Sequence, residues 1–161
     1  MKLKYLPIII LICIGFLSCK KDKVQTPNEK IVGSWLNTRL LGNEFIAHNV
    51  SYEFGNDGTF ISTIYSSDLK LRKILGYHQK TVGKYKINEN KLELFDQITY
   101  RTNNYQPGSK EDLSVVVDAF PSASSFPISF DTSRKSFFLQ YPPCGPAALC
   151  IYTGDVEYVK K

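Results

Sequence analysis

Tyr52-Glu53-Phe54-Gly55-Asn56-Asp57-Gly58-Thr59-Phe60 is the stretch that decides the fold. Two alternating, aromatic-rich runs, Asn49–Phe54 and Thr59–Tyr65, flank an Asp57-Gly58 step, and Gly58 supplies the positive φ that a tight β-turn needs. The segment therefore predicts a hairpin with one dry and one wet face. Outward from it, Thr81–Ile87 leads through Asn88-Glu89-Asn90 into Lys91–Phe95 as a second hairpin. There Tyr85 and Ile87 alternate with lysines, and Leu92 and Leu94 alternate with Lys91 and Glu93.

Further strands are expected at Ser34–Leu41, Gln97–Thr102, Leu113–Ala119, Pro127–Phe130, Ser136–Tyr141 and Ile151–Val159. Pro121-Ser122-Ala123-Ser124-Ser125 reads as an exposed loop. Ser67–Leu75 is ambiguous: Leu71, Ile74 and Leu75 have helical spacing behind a Ser67 cap, but the run is short. About eight short antiparallel strands make an all-β domain, and an up-and-down β-barrel removes their exposed edges; a β-sandwich fits the same periodicity.

The first residues read as an address. Lys2 and Lys4 precede an uncharged apolar run, Leu6–Leu17, of a length suited to a cleavable export signal and too short to span a bilayer. Ser18-Cys19-Lys20-Lys21 then switches abruptly to charge. This junction resembles the lipobox of bacterial lipoproteins, with Phe16 where that pattern more often has Leu. The resemblance implies a signal peptide over 1–18, acylation of Cys19, and a membrane held through the lipid anchor. It places the protein in the cell envelope, at the outer membrane, on its periplasmic or surface face. Residues 19–30 are polar, contain Pro27, and read as a flexible tether; 31–161 form the domain.

Removing residues 1–18 takes two lysines and no acid from a formal charge of +5. The remaining excess is spread along the chain, so no nucleic-acid footprint is indicated, and a domain of this size suits a monomer. Cys13 falls within the signal. Cys144 and Cys150 remain, and an even pair in an exported domain is expected to form a disulfide, ahead of free thiols or a metal pair, because the spacing is not CxxC.

Three motifs carry a second resemblance. Ile31-Val32-Gly33-Ser34-Trp35-Leu36, the Tyr52–Phe60 hairpin, and Val82-Gly83-Lys84-Tyr85-Lys86-Ile87 followed by Leu92-Glu93-Leu94 are similar to the ordered motifs of lipocalin-like domains in bacterial lipoproteins. The resemblance covers about the first half of the domain. It implies structural roles for Gly33, Trp35, Asp57, Gly58 and Gly83: Gly33 allowing close backbone approach, Trp35 plugging one end of the barrel.

No nucleophile elbow, Walker loop or dinucleotide fingerprint is present, so catalytic, metal and cofactor roles are not expected and the chain does not read as an enzyme. His48 and His78 lie far apart in sequence and read as strand-surface residues. The expectation is an envelope lipoprotein whose interior, with aromatics such as Phe60, Tyr65, Tyr85, Phe95, Phe137 and Tyr141, holds a small hydrophobic ligand. The alternative is a filled barrel with a structural or protein-partner role, contacting through the Asn103–Asp112 and Phe120–Phe126 loops. No residue is singled out for ligand binding.

Overall fold

The computed structural model describes residues 27–103, 106–116, 123–143 and 154–161. A short helix, α1 (Pro27–Ile31), precedes nine strands: β1 (Gly33–Leu41), β2 (Asn43–Phe54), β3 (Thr59–Asp68), β4 (Lys73–Asn88), β5 (Lys91–Arg101), β6 (Ser114–Val115), β7 (Ala123–Phe130), β8 (Ser136–Tyr141) and β9 (Gly154–Lys160). Each main strand pairs antiparallel with the next, and β9 returns to β1 through Trp35–Lys160 and Leu36–Val159. Eight strands thus close into an up-and-down barrel, and β6 is an extra strand on the upper part of β5. Closure excludes the sandwich and leaves no long free edge.

The hairpin at 55–58 forms as expected. Gly58 has φ +79°, and Asp57 Oδ1 accepts from the Thr59 N–H at 3.0 Å and from its hydroxyl at 2.7 Å. Those two bonds hold the Asp57 carboxyl below the usual carboxylate range. Ser67–Leu75 is not helical. It is the tip of the β3–β4 hairpin, where Arg72 takes φ +52° and Asp68 Oδ1 accepts from the Leu71 N–H at 2.8 Å. Residues 123–125 are strand rather than loop, because Ala123, Ser124 and Ser125 extend the ladder against Phe95, Leu94 and Glu93. Lys91–Arg101 is one strand rather than two; a bulge at Asp96, with φ +53°, joins its halves. The strand expected at 113–119 is seen as Ser114–Val115, and its end lies outside the described residues.

The two glycines that open strands or bulges differ in their reasons. Opposite the bulge, a Cβ on Gly83 would stand 2.8 Å from the Phe95 carbonyl oxygen and 2.9 Å from the Phe60 ring, so only hydrogen fits. At Gly33 a Cβ would meet Lys160 at an ordinary 3.5 Å. What selects glycine there is φ +126°, not the close approach expected from sequence.

The core gathers at the end of the barrel where α1 lies. Trp35, Phe60, Phe137, Tyr158, Leu92 and Leu139 are wholly buried. Phe137 meets Trp35 edge-on at 4.9 Å and stacks on Tyr158 at 5.1 Å. Trp35 Nε1 donates to the Ile31 carbonyl at 2.6 Å, and Asn28 Oδ1 accepts from the Ile87 N–H at 2.7 Å. Helix α1 is thereby fixed as a lid on this end.

Candidate functional site in the upper barrel

Burial changes along the barrel axis. The inward side chains near α1 interlock, whereas those of the same strands farther up, among them Ser62, Ile64, Gln79 and Arg101, stay partly exposed while pointing inward. An eight-stranded barrel is just wide enough for side chains to fill. In the same upper part Ser66, His48, Gly76, Thr81 and Thr99 are buried, so among the described residues the upper interior mixes enclosed polar groups with partly accessible ones.

Cross-strand register lays out the wall where the filling stops. One rung runs Asn37–Val50–Ile64–Gln79–Arg101, and the next toward the mouth runs Arg39–His48–Ser66–Gly76. His78, the extra residue of a bulge in β4, enters the second rung: its Nε2 lies 2.7 Å from Ser66 Oγ, and its ring is 5.8 Å from that of His48. Arg101 Nη2 donates to Gln79 Oε1 at 3.4 Å, and Thr81 and Thr99 pair their hydroxyls at 3.1 Å.

His48 is nine-tenths buried, and neither its Nε2 nor Asn37 Oδ1 has a hydrogen-bond partner. An unsatisfied buried polar group costs about 1–3 kcal/mol. Burial, then the nearby charges of His78 and Arg39, hold the His48 imidazole below its ordinary pKa. The two histidines are therefore not strand-surface residues. Thirty positions apart in sequence, they converge inside the barrel because β2, β3 and β4 are consecutive neighbours. Among the described residues no group of three or more His, Cys, Asp or Glu side chains is placed to hold a metal ion, so the pair has no third ligand there.

Phe126 packs 5.0 Å from Tyr141, whose hydroxyl meets that of Tyr158 at 2.9 Å. Of the aromatics expected inside, Phe60, Tyr85 and Phe137 are in the core. Tyr65 and Phe95 face outward, beside Tyr77 and under Lys86 respectively.

The lip of the barrel carries the hairpins β1–β2 and β3–β4, which meet where the Leu69 N–H donates to the Phe45 carbonyl. Of ten exposed large apolar residues among those described, seven are here: Leu40, Leu41, Phe45, Leu69, Leu71, Ile74 and Leu75. Lys70, Arg72 and Lys73 are interleaved, with Lys70 Nζ 5.5 Å from the Phe45 ring centroid. Cys19, Cys144 and Cys150 lie outside the described residues, as do part of the 103–112 loop and residues 120–122 of the 120–126 loop. Comparison with known proteins finds no matching family model, no matching curated protein and no matching solved structure.

Proposed function

We propose that this is an exported lipoprotein, anchored to the cell envelope through an acylated Cys19, whose barrel takes up a small molecule through its open end. The observation that carries the reading is the polar upper interior: Ile64, Gln79 and Arg101 face inward and stay partly accessible, with His48 and Ser66 enclosed beside them, above an aromatic core. A protein built only as a filled structural barrel has no reason to keep a buried, unpartnered imidazole at the boundary of its packed core. With the aromatic plug filling the α1 end, a bound molecule, a small hydrophobic one included, sits high in the barrel.

Native mass spectrometry of the mature chain, extracted from its own membranes in mild detergent, tests this. Expected is a protein carrying acyl chains and lacking residues 1–18, with a further dissociable small-molecule adduct. An unprocessed chain, or a processed chain that stays adduct-free and unshifted in melting temperature across a metabolite library, refutes the corresponding half of the reading.

The apolar and basic lip favours a second reading, a contact with a protein partner of acidic surface. The chain enters the barrel through α1 at the closed end. An anchor at Cys19 would hold that end toward the bilayer and turn the lip away from it. A photo-crosslinker at Leu71 should then give one discrete adduct in cells, lost when Lys70, Arg72 and Lys73 are changed to Glu, while one at Lys91 gives none. Equal labelling from both positions refutes it.

A further inference from the structure

We propose that the outer wall of the barrel carries a saccharide site, in a groove between strands β3–β5 and the segment 106–113. It is separate from the interior and does not depend on what the interior binds.

After β5 the chain turns back over the outside of its own sheet. Gly108 and Tyr77 exchange both backbone hydrogen bonds, at 2.8 and 3.0 Å, and Pro107 lies so close to Gly76 that a Cβ there would stand 2.6 Å from it. Asp112 Oδ2 accepts from the Ser109 N–H at 2.7 Å, and the Thr102 hydroxyl donates to the Gln106 carbonyl at 2.7 Å. The segment is thus pinned to β4 at Gly108 and to β5 through β6 at Ser114. Between the pins, Lys110 sets its Nζ 5.2 Å from the Tyr77 ring centroid. A wall built in this way stands on the sheet's outer face.

Beside that wall is a groove of about 470 Å³, lined among others by Glu53, Ile61, Tyr77, Lys80, Tyr100 and Lys110. Its size is that of a small-molecule site. Thr63, Lys80 and Tyr100 form one outer rung, and Tyr65 and Tyr77 the next. The second observation is what Lys80 lacks. Lower on the same two strands, outward lysines find acids: Lys84 meets Asp96 at 3.0 Å and Lys86 meets Glu93 at 2.9 Å. Lys80 is half-buried and faces Tyr100 instead. Among the described residues neither Lys80 nor Glu53 makes a hydrogen bond or ion pair, and the Tyr77 and Tyr100 hydroxyls make no hydrogen bond.

These groups differ in what they need. Lys80 and Lys110 only donate, Glu53 only accepts, and a tyrosine hydroxyl does both. A carboxylate or phosphate meets the lysines and is repelled by Glu53, and an acyl chain leaves every one of them unpaired. A pyranose carries hydroxyls around its ring, each able to donate and to accept, so one molecule serves both lysines and the glutamate. Its C–H faces are apolar and lie against the electron-rich face of an aromatic ring. Lys110 already rests beside the Tyr77 ring, which leaves Tyr100 as the platform.

The test is an array of neutral and acidic mono- to tetrasaccharides probed with the full chain in mild detergent, each bound sugar then being titrated by calorimetry at low and at high salt. Expected is at least one neutral saccharide bound at both salt concentrations. Tyr100→Leu and Lys80→Met should each weaken it about tenfold, and Glu53→Gln several-fold. Lys80→Met and Glu53→Gln alter outward side chains without hydrogen bonds of their own, and they keep the test decisive if Tyr100→Leu fails to fold. His48→Gln, inside the barrel, should leave the affinity within about twofold, since distant sites act independently. If no neutral saccharide binds, or if binding survives the groove substitutions, the site is overturned. Acidic saccharides bound alone and released at high salt overturn it as well, because that is attraction to a basic surface and not recognition of hydroxyls.

Discussion

Replacing Trp35 by Phe tests whether α1 is a lid that the barrel needs. The indole N–H donates to the Ile31 carbonyl at 2.6 Å in a wholly buried setting. Phenylalanine leaves that carbonyl an orphaned acceptor, at about 1–3 kcal/mol. It also shortens the edge that meets Phe137 at 4.9 Å, worth about 0.5–1.5 kcal/mol for an aromatic pair. Together these give about 3 kcal/mol, a large share of the ~5–15 kcal/mol by which a domain is stable, and a fall in melting temperature of about 6–12 °C.

Urea unfolding followed by far-UV circular dichroism measures the loss. Trp35 is the chain's single tryptophan, so its emission in the unsubstituted protein reports the same end of the barrel independently. Ile31→Ala removes a fully buried side chain from the same lid and should cost about 2–5 kcal/mol alone. If either change already undocks α1, the double variant loses less than the sum of the two. A Trp35→Phe cost below about 1 kcal/mol, or strict additivity with Ile31→Ala, would refute the lid.

Gly83→Ala forces a methyl group to within 2.8 Å of the Phe95 carbonyl and should destabilise by about 1–3 kcal/mol in the same assay; a neutral outcome would show that the β4–β5 bulge adjusts freely. His48 has a folded pKa below its unfolded value, so the unfolded chain binds more protons as pH falls through that interval. The stability held above the unfolded pKa is then lost toward the folded one. Melting temperature should accordingly drop between pH 7.5 and 5.5 more steeply in the unsubstituted protein than in His48→Gln, and parallel curves would contradict this. Leu71→Asp with Leu75→Asp, both exposed on the lip, should shift stability by less than about 0.5 kcal/mol yet abolish the crosslink proposed there. Reduction of the protein should raise its intact mass by two hydrogens and cost about 2 kcal/mol if Cys144 and Cys150 are bridged; no mass change excludes the bridge.

The barrel was legible because its lower half obeys simple alternation. Tyr52, Phe54, Phe60, Tyr85, Leu92 and Leu94 fall on one face at a period of two, and all are buried. The Asp57-Gly58 turn and the Gly83 position were likewise readable, since each answers to a local steric demand. The Leu71, Ile74 and Leu75 spacing was ambiguous because those side chains sit on an exposed lip, where burial does not set the period.

The candidate site was hidden by the bulges. Along β5, Leu92 and Leu94 point inward, but the extra residue at Asp96 reverses the phase, so Thr99 and Arg101 point inward and Ile98 is exposed. Read at constant phase, Arg101 belongs outside and Ile98 inside. In β4 the inserted His78 does the same, leaving Tyr77 beside Tyr65 on the outer surface and bringing an imidazole into the barrel. A one-residue insertion therefore does more than bend a strand: it lets a single strand line the dry floor with leucine and the wet wall with arginine. Deleting Asp96 should turn Thr99 and Arg101 outward and Ile98 into the barrel. If a folded deletion variant still exposes Ile98 and buries Thr99, the bulge is not what sets the phase of the upper half of β5.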